Sequence, residues 1–233
     1  MVNISFSWDD GSIYDLKIAK LFEKYSYRAM FFIPTSNWEH PSVSPEIIKE
    51  IINMKMEVGG HTSSHKYLTT LDRSSLENEI ADNQSYLQDL TQTNVDMFCY
   101  PGGCYDSYIE SVVMKYFKRA RSARTMRFNI QRSFTVDTSF HFFDRGMRSV
   151  FKNVIQNDFS RLFDCVVSMN SDTFEFYRNL IFRLNSESRV YNVHIWGHGW
   201  ELERFGLWGG LEEFLVFIKR NNIKVVSNEE MYL

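Results

Sequence analysis

Apolar and polar residues alternate along this chain in two rhythms. Residues 3–8 set Ile4, Phe6 and Trp8 between polar neighbours, the period of a half-buried strand. Residues 15–25 then carry Leu16, Ala19, Leu21 and Phe22 at helical spacing. The same succession returns. Residues 29–33 are a short apolar run stopped by Pro34, and residues 45–54 predict a helix with Ser44 as N-cap and Pro45 in its first turn. Residues 56–60 predict a strand, and 74–90 a long helix with a capping box at Ser74 and Glu77. Residues 97–100 predict a strand ending in Pro-Gly-Gly, 108–117 a helix and 119–123 a strand. Residues 126–172 are aromatic and basic without clean periodicity. Beyond them, 173–184 and 210–219 predict helices, and 190–196 and 224–227 strands. Strand followed by helix argues for an α/β fold with a parallel sheet. No internal repeat or low-complexity segment interrupts it, so residues 1–233 read as one domain.

The candidate reactive groups follow predicted strands: Asp9 and Asp10 after the first, His61 and His65 after the third, the Gly102 backbone after the fourth, His198 after a late one. Parallel strands bring their C-terminal ends to one rim, where active sites sit. Two adjacent carboxylates at the end of an apolar strand are hard to explain by packing, since consecutive strand side chains point to opposite faces. A turn helped by Gly11 brings both to one pocket, one to bind a metal and one to act as base. The plainer alternative is an Asp-Asp-Gly turn capping the next helix. In Gly-Gly-His-Thr-Ser-Ser-His, His61 and His65 share one face of a helical turn, a spacing that suits two ligands of one metal. Gly59 and Gly60 leave room there for close backbone approach. The turn from Cys99 through Tyr100, Pro101 and Gly102 to Gly103 exposes backbone N–H groups able to bind an oxyanion. In the late strand, alternation sends His194 and Trp196 to one face and Ile195 to the other. His198, past its end, suits a general acid, and His194 a core or supporting residue. Trp196, Trp200 and Trp208 suit either an aromatic wall for a sugar ring or plain packing. His40 and His141 have no motif around them and are assigned to surface or loop.

Composition narrows the class. Apolar residues make up 44% of the 233, enough for a sizeable core. Charged residues make up 24%, with a net charge of -3, which offers nothing to a nucleic acid. Cys99, Cys104 and Cys165 form no Cys-x-x-Cys pair and favour a reducing compartment. The opening MVNISFSWDDG lacks the pattern of a secretory leader, and no window holds the roughly 18 uncharged apolar residues of a membrane span. The expected localisation is cytoplasmic. Self-association as a homo-oligomer is left open.

In this order the four segments resemble the polysaccharide deacetylase family, also called the NodB-homology domain or carbohydrate esterase family 4. Its motif Thr-Phe-Asp-Asp-Gly is similar to residues 7–11, and His-Ser/Thr-x-x-His to residues 61–65. Arg-x-Pro-Tyr-Gly is similar to residues 99–103, and Leu-x-His to residues 196–198. The resemblance implies a distorted (β/α) barrel and hydrolysis of an N-acetyl or related N-acyl amide on an amino sugar. Carried over by position, Asp10, His61 and His65 would hold one divalent metal, zinc first, with cobalt, nickel or iron as alternatives. Asp9 would be the base for the attacking water, Gly102 N–H would help hold the oxyanion, and His198 would protonate the departing amine. Tyr100, Trp196 and Trp200 join Gly102 as candidate oxyanion or substrate contacts.

One departure matters. The family's third-motif arginine, which orients the catalytic aspartate, is Cys99 here. Arg124, just after a predicted strand, is the candidate replacement, with Arg121 the fallback. The fourth motif, Asp-x-x-Asp-Trp, has no clear counterpart. The expected substrate is a nucleotide-linked or lipid-linked sugar or a glycan precursor. The alternatives are a hydrolase of a small non-sugar amide or cyclic imide on the same barrel, and an inactive carbohydrate-binding homologue.

Overall fold

The structure, a computed structural model, describes residues 1–129 and 131–232. The chain runs β1 (Val2–Asp9), α1 (Asp15–Lys24), β2 (Met30–Ile33), α2 (Pro45–Asn53), β3 (Glu57–Gly60), α3 (Arg73–Thr91), β4 (Met97–Cys99), α4 (Ser107–Val113) and β5 (Arg119–Arg121). It continues through β6 (Thr135–Val136), β7 (Phe140–His141), α5 (Gly146–Asn157), α6 (Leu162–Val167) and α7 (Thr173–Asn185). It ends with β8 (Tyr191–His198), α8 (Gly199–Arg204), α9 (Trp208–Arg220), β9 (Lys224–Val225) and α10 (Asn228–Tyr232). No helix among the described residues is long and apolar enough to cross a membrane.

β1 is the axis of the sheet. It pairs in parallel with β8 from Val2↔Tyr191 to Asp9↔His198, with β2 near its end and with β9 near its start. The order is β6-β5-β4-β3-β2-β1-β8-β7, with every pair parallel. No pairing joins β6 to β7 among the described residues, so the sheet curls without closing. This is the distorted (β/α) barrel that the resemblance implies.

Strand alternation sorts the apolar residues into two sets. Phe31, Ile33, Phe98 and Ile195 join the large core under the helices. Each such side chain contributes roughly 1.5–3 kcal/mol by leaving water. Met30, Phe32, Met97, Cys99 and Val136 form a second cluster inside the curl, joined by Tyr232 of α10. His194 lies buried in the same interior, with its ring nitrogens 2.8 and 2.9 Å from the Ser5 and Ser7 hydroxyls, the first of the two places expected of it, the core.

Some local expectations change. Asp72 caps α3, accepting from the backbone N–H groups of Ser74 and Ser75 at 3.0 Å each. Glu77 is spent on Lys115 and Tyr116, so the expected capping box does not form. Ser44 stands at the N-cap of α2 but makes no side-chain cap bond. The aperiodic stretch holds β6, β7, α5 and α6. Strands of two residues are too short to show a period.

Candidate active site

The parallel sheet delivers the reactive residues to one rim. Asp9 ends β1, His61 follows β3, Cys99 ends β4, Arg121 ends β5 and His198 ends β8. A cavity of about 400 Å3 opens there, lined by Asp9, Asp10, His61, His65, Cys99, Gly102 and His198, while Arg121 lies behind its wall.

Asp10, His61 and His65 are buried, and their ligand atoms lie within 4.8 Å of one another. Asp10 Oδ1 is 3.0 Å from His65 Nε2 and 3.4 Å from His61 Nε2. His61 Nδ1 lies 2.7 Å from the Cys99 carbonyl, which makes that nitrogen an N–H donor and turns Nε2 toward Asp10. The Glu39 carboxylate stands 2.9 Å from His65 Nδ1 but outside hydrogen-bonding geometry. Burial favours a neutral Asp10, yet the two imidazoles, with His198, hold its carboxyl far below the ordinary range. Two nitrogens and one oxygen around one point, with the His61 ring held from behind by the Cys99 carbonyl, fit a divalent transition metal.

The backbone is strained to make this arrangement. Asp10, Thr62 and His65 all adopt left-handed conformations, at φ of 75, 68 and 57°. Each costs roughly 1–3 kcal/mol and persists only when its surroundings over-determine it. α3 does the pinning. Asn83, fully buried, accepts from His61 N–H at 2.8 Å and donates to the Ile33 carbonyl at 3.1 Å. Glu79 accepts from the Ser64 backbone and hydroxyl. Neither residue was singled out from the sequence. Gly59 and Gly60 do not open space for a ligand. An added Cβ would lie 2.5 Å from the Phe32 ring and 2.6 Å from the Phe117 ring, respectively, so they are small to admit core aromatics.

Asp9 is held by Arg121, not by Arg124. Arg121 Nη2 donates to Asp9 Oδ2 and lies 2.8 Å from Cys99 Sγ. Asp9 Oδ1 has no partner among the described residues and is free to take a proton. Cys99 and Arg121 are register partners across β4 and β5, so their side chains stand side by side on the inner face. The guanidinium therefore reaches Asp9 from the neighbouring strand. Arg124 lies three residues past the end of β5, exposed, with its Nη1 3.5 Å from Asp137. It is not the replacement expected.

The other rim residues fall into place around these groups. His198 Nδ1 is 2.7 Å from Glu201 Oε2, and its Nε2 is 3.8 Å from Asp10 Oδ2. Burial alone would depress His198, but Glu201, with Asp10, raises it to about 9. The same Glu201 oxygen takes His141 Nε2 at 2.8 Å. Burial lowers His141 to about 4, so it is a neutral donor there. His141 is thus buried, not at the surface as expected. Its rings and those of His198 could also meet an ion with Glu201, but the carboxylate is already occupied by both. Trp200 donates its indole N–H to Asp10 Oδ2 at 2.9 Å and stacks on His40, 4.3 Å between centroids, which brings His40 to the site as well. Trp196 stacks on His141 and lines the cavity. Trp208 takes no part; its N–H goes to Glu203 and Lys17 sits over its ring.

At the Pro-Gly-Gly turn, Gly102 has φ +62°, and its N–H makes no hydrogen bond among the described residues. A Cβ there would lie 2.8 Å from the Tyr67 ring, which covers the turn where the family motif carries a tyrosine. Tyr100 is buried, with its hydroxyl 3.1 Å from that of Thr135, so any contact it makes in the cavity is not through that hydroxyl.

The sequence profile described as polysaccharide deacetylase matches residues 2–118, half of the chain. The chain belongs to the polysaccharide deacetylase family. A peptidoglycan-N-acetylglucosamine deacetylase of Bacillus cereus is 28% identical over 119 residues, 50% of this chain and 52% of its own. The chain thus spans about half the length of that curated relative. Solved structures share the fold of this deacetylase-family chain. A peptidoglycan N-acetylglucosamine deacetylase in complex with a naphthyl N-hydroxybenzamide superimposes with a TM-score of 0.64 at 17% identity, over 99% of this chain and 87% of that one. A family 4 acetyl xylan esterase from Clostridium thermocellum with a cobalt ion gives 0.60 at 16%, over 98% and 89%. A family 4 pseudoenzyme from Bacillus anthracis gives 0.61 at 12%, over 98% and 64%. Arg121, His141, His198 and Glu201 lie beyond the matched residues, so their placement comes from the fold alone.

Proposed function

We propose that this chain removes an N-acetyl or related N-acyl group from an amino sugar, with one divalent metal on Asp10, His61 and His65. The carrying observation is the convergence of those three side chains beside an Asp9 that Arg121 holds through one oxygen while the other stays free. A bound divalent ion would polarise the amide carbonyl and make a water easier to deprotonate. Asp9 Oδ1 takes the proton of the attacking water. The Gly102 N–H donates to the oxygen that gains charge. His198, kept protonated by Glu201, gives its Nε2 proton to the departing amine. The donor set of two imidazoles and one carboxylate suits zinc first and cobalt next.

The loss of the third-motif arginine is the strongest argument for an inactive homologue. Arg121 answers it, because a guanidinium reaches Asp9 from the next strand. The name of the 28% identical relative supports an N-acetylated amino sugar. Within that class we favour a nucleotide-linked or lipid-linked sugar or a glycan precursor. The test is acetate release from N-acetylglucosamine conjugates, with metal content measured on the same sample. Metal and acetate together support the reading. Turnover of small cyclic imides without acetate would favour the other hydrolase, and neither metal nor turnover would favour a binding protein.

A further inference from the structure

Beside the catalytic cavity lies a second chamber of about 290 Å3, bounded on one side by α5. Ala123, Arg145 and Trp196 line both, so the two cavities share a wall. The size is just below that of small-ligand sites, roughly 300–1,000 Å3, and suits a substituent rather than a whole ligand. Its charge is one-sided. Arg124 and Arg145 line it together with Ser149, Asn153 and Gln156, and no carboxylate does so among the described residues.

Arg145 is aimed and unspent. Its Nε donates to Nδ1 of the buried His141 at 2.9 Å, which anchors the guanidinium. Its two terminal amino groups make no hydrogen bond among the described residues. Arg124 approaches only Asp137, at 3.5 Å, and that carboxylate also faces Arg127 at 3.6 Å and accepts from the Ser122 hydroxyl. One carboxylate beside two guanidiniums leaves positive charge uncompensated.

We propose that this chamber is a subsite for an anionic substituent, phosphate or carboxylate, carried by the same substrate whose N-acyl group reaches Asp9. The proposal rests on the deacetylase reading and narrows its substrate to an acidic sugar. A guanidinium's planar fork pairs with either oxyanion, and hydrogen bonds between charged partners are about twice as strong as neutral ones. A neutral N-acetyl sugar leaves the terminal amino groups of Arg145 unmatched and gives Arg124 nothing beyond its shared contact with Asp137.

The test compares acetate release by the metal-loaded full chain from three substrates: N-acetylglucosamine 1-phosphate, a disaccharide of glucuronate and N-acetylglucosamine, and neutral N,N′-diacetylchitobiose. One acidic substrate is expected to exceed the neutral one in kcat/KM by about tenfold or more, and which one names phosphate or carboxylate as the recognised group. In Arg124→Met/Arg145→Met the acidic-to-neutral ratio should collapse toward one, whatever the absolute rate. Both side chains are exposed, and because Arg145 also donates to the buried His141 the readout is the ratio, which a general loss of activity leaves unchanged. No acidic preference in the natural protein, or a ratio unchanged in the double variant, overturns the proposal. If no substrate releases acetate, the deacetylase reading fails, and the chamber is read instead by calorimetry with inorganic pyrophosphate. Binding weakened about tenfold in the double variant then supports the subsite. Equal binding by the two proteins, or none, overturns it.

Discussion

Replacing Arg121 by methionine removes the cation that holds Asp9. The guanidinium is 1% exposed, lies over the Phe32 and Trp196 rings at 5.2 and 4.9 Å, and bonds Asp9, Cys99 and the Ser122 carbonyl. Methionine fills much of the stem's volume but leaves Asp9, itself 3% exposed, as an uncompensated buried charge. Breaking a buried pair from one side costs about 3–5 kcal/mol. In a domain of this length each kcal/mol lowers Tm by about 2–4 °C, so calorimetry should show a fall of about 6–20 °C. Catalysis should suffer separately. Losing one charge-assisted hydrogen bond, about 1.5–3 kcal/mol, from the alignment of the base lowers kcat by about 10- to 150-fold. KM should change little, since the bond does not touch substrate. Cys99→Arg combined with Arg121→Met should restore part of kcat, because Cys99 Sγ already lies 3.6 Å from Asp9 Oδ2. An Arg121→Met protein that melts within about 2 °C of the natural one and keeps its kcat would refute the assignment.

Asp9→Asn should lower kcat by about 100-fold or more while metal content by elemental analysis stays the same; lost metal would mean that Asp9 is a ligand as well. Divalent zinc or cobalt at about 100 times its Kd should stabilise the protein by about 2.7 kcal/mol, seen as a rise in Tm. His61→Ala and His65→Ala should abolish that rise, and its survival would put the ion elsewhere. Burial holds His194 neutral, well below its ordinary range. The unfolded imidazole gains a proton near pH ~6.5 that the folded one refuses, so stability is full above that pH and falls below it. The slope is at most about 1.36 kcal/mol per pH unit, and His194→Gln should make urea titrations between pH 7 and 5 correspondingly shallower. An unchanged slope would show that His194 does not carry this term.

Asp9, Asp10, His61, His65 and His198 could be read from the sequence because each sits in a short string beside a strand end. Strand period, ligand spacing and turn chemistry act over a few residues, and the chain records them locally. The parallel sheet follows from the same record, since strand–helix alternation leaves few topologies. Which guanidinium meets Asp9 is a different kind of fact. It depends on Cys99 and Arg121 standing opposite each other across β4 and β5, and a strand ending at Arg121 leaves Arg124 beyond the rim. His141 carries no local signal because β7 is two residues long; only its pairing with β8 sets it beside Trp196 and brings it to Glu201. Glu201 did have one, the three-residue spacing from His198. Asn83 and Glu79 read as ordinary positions of a long helix until that helix is laid against the histidine loop. Such contacts join residues far apart in the chain. Their geometry is set by strand register and helix docking, which emerge from packing the whole sheet and are written in no single segment of it.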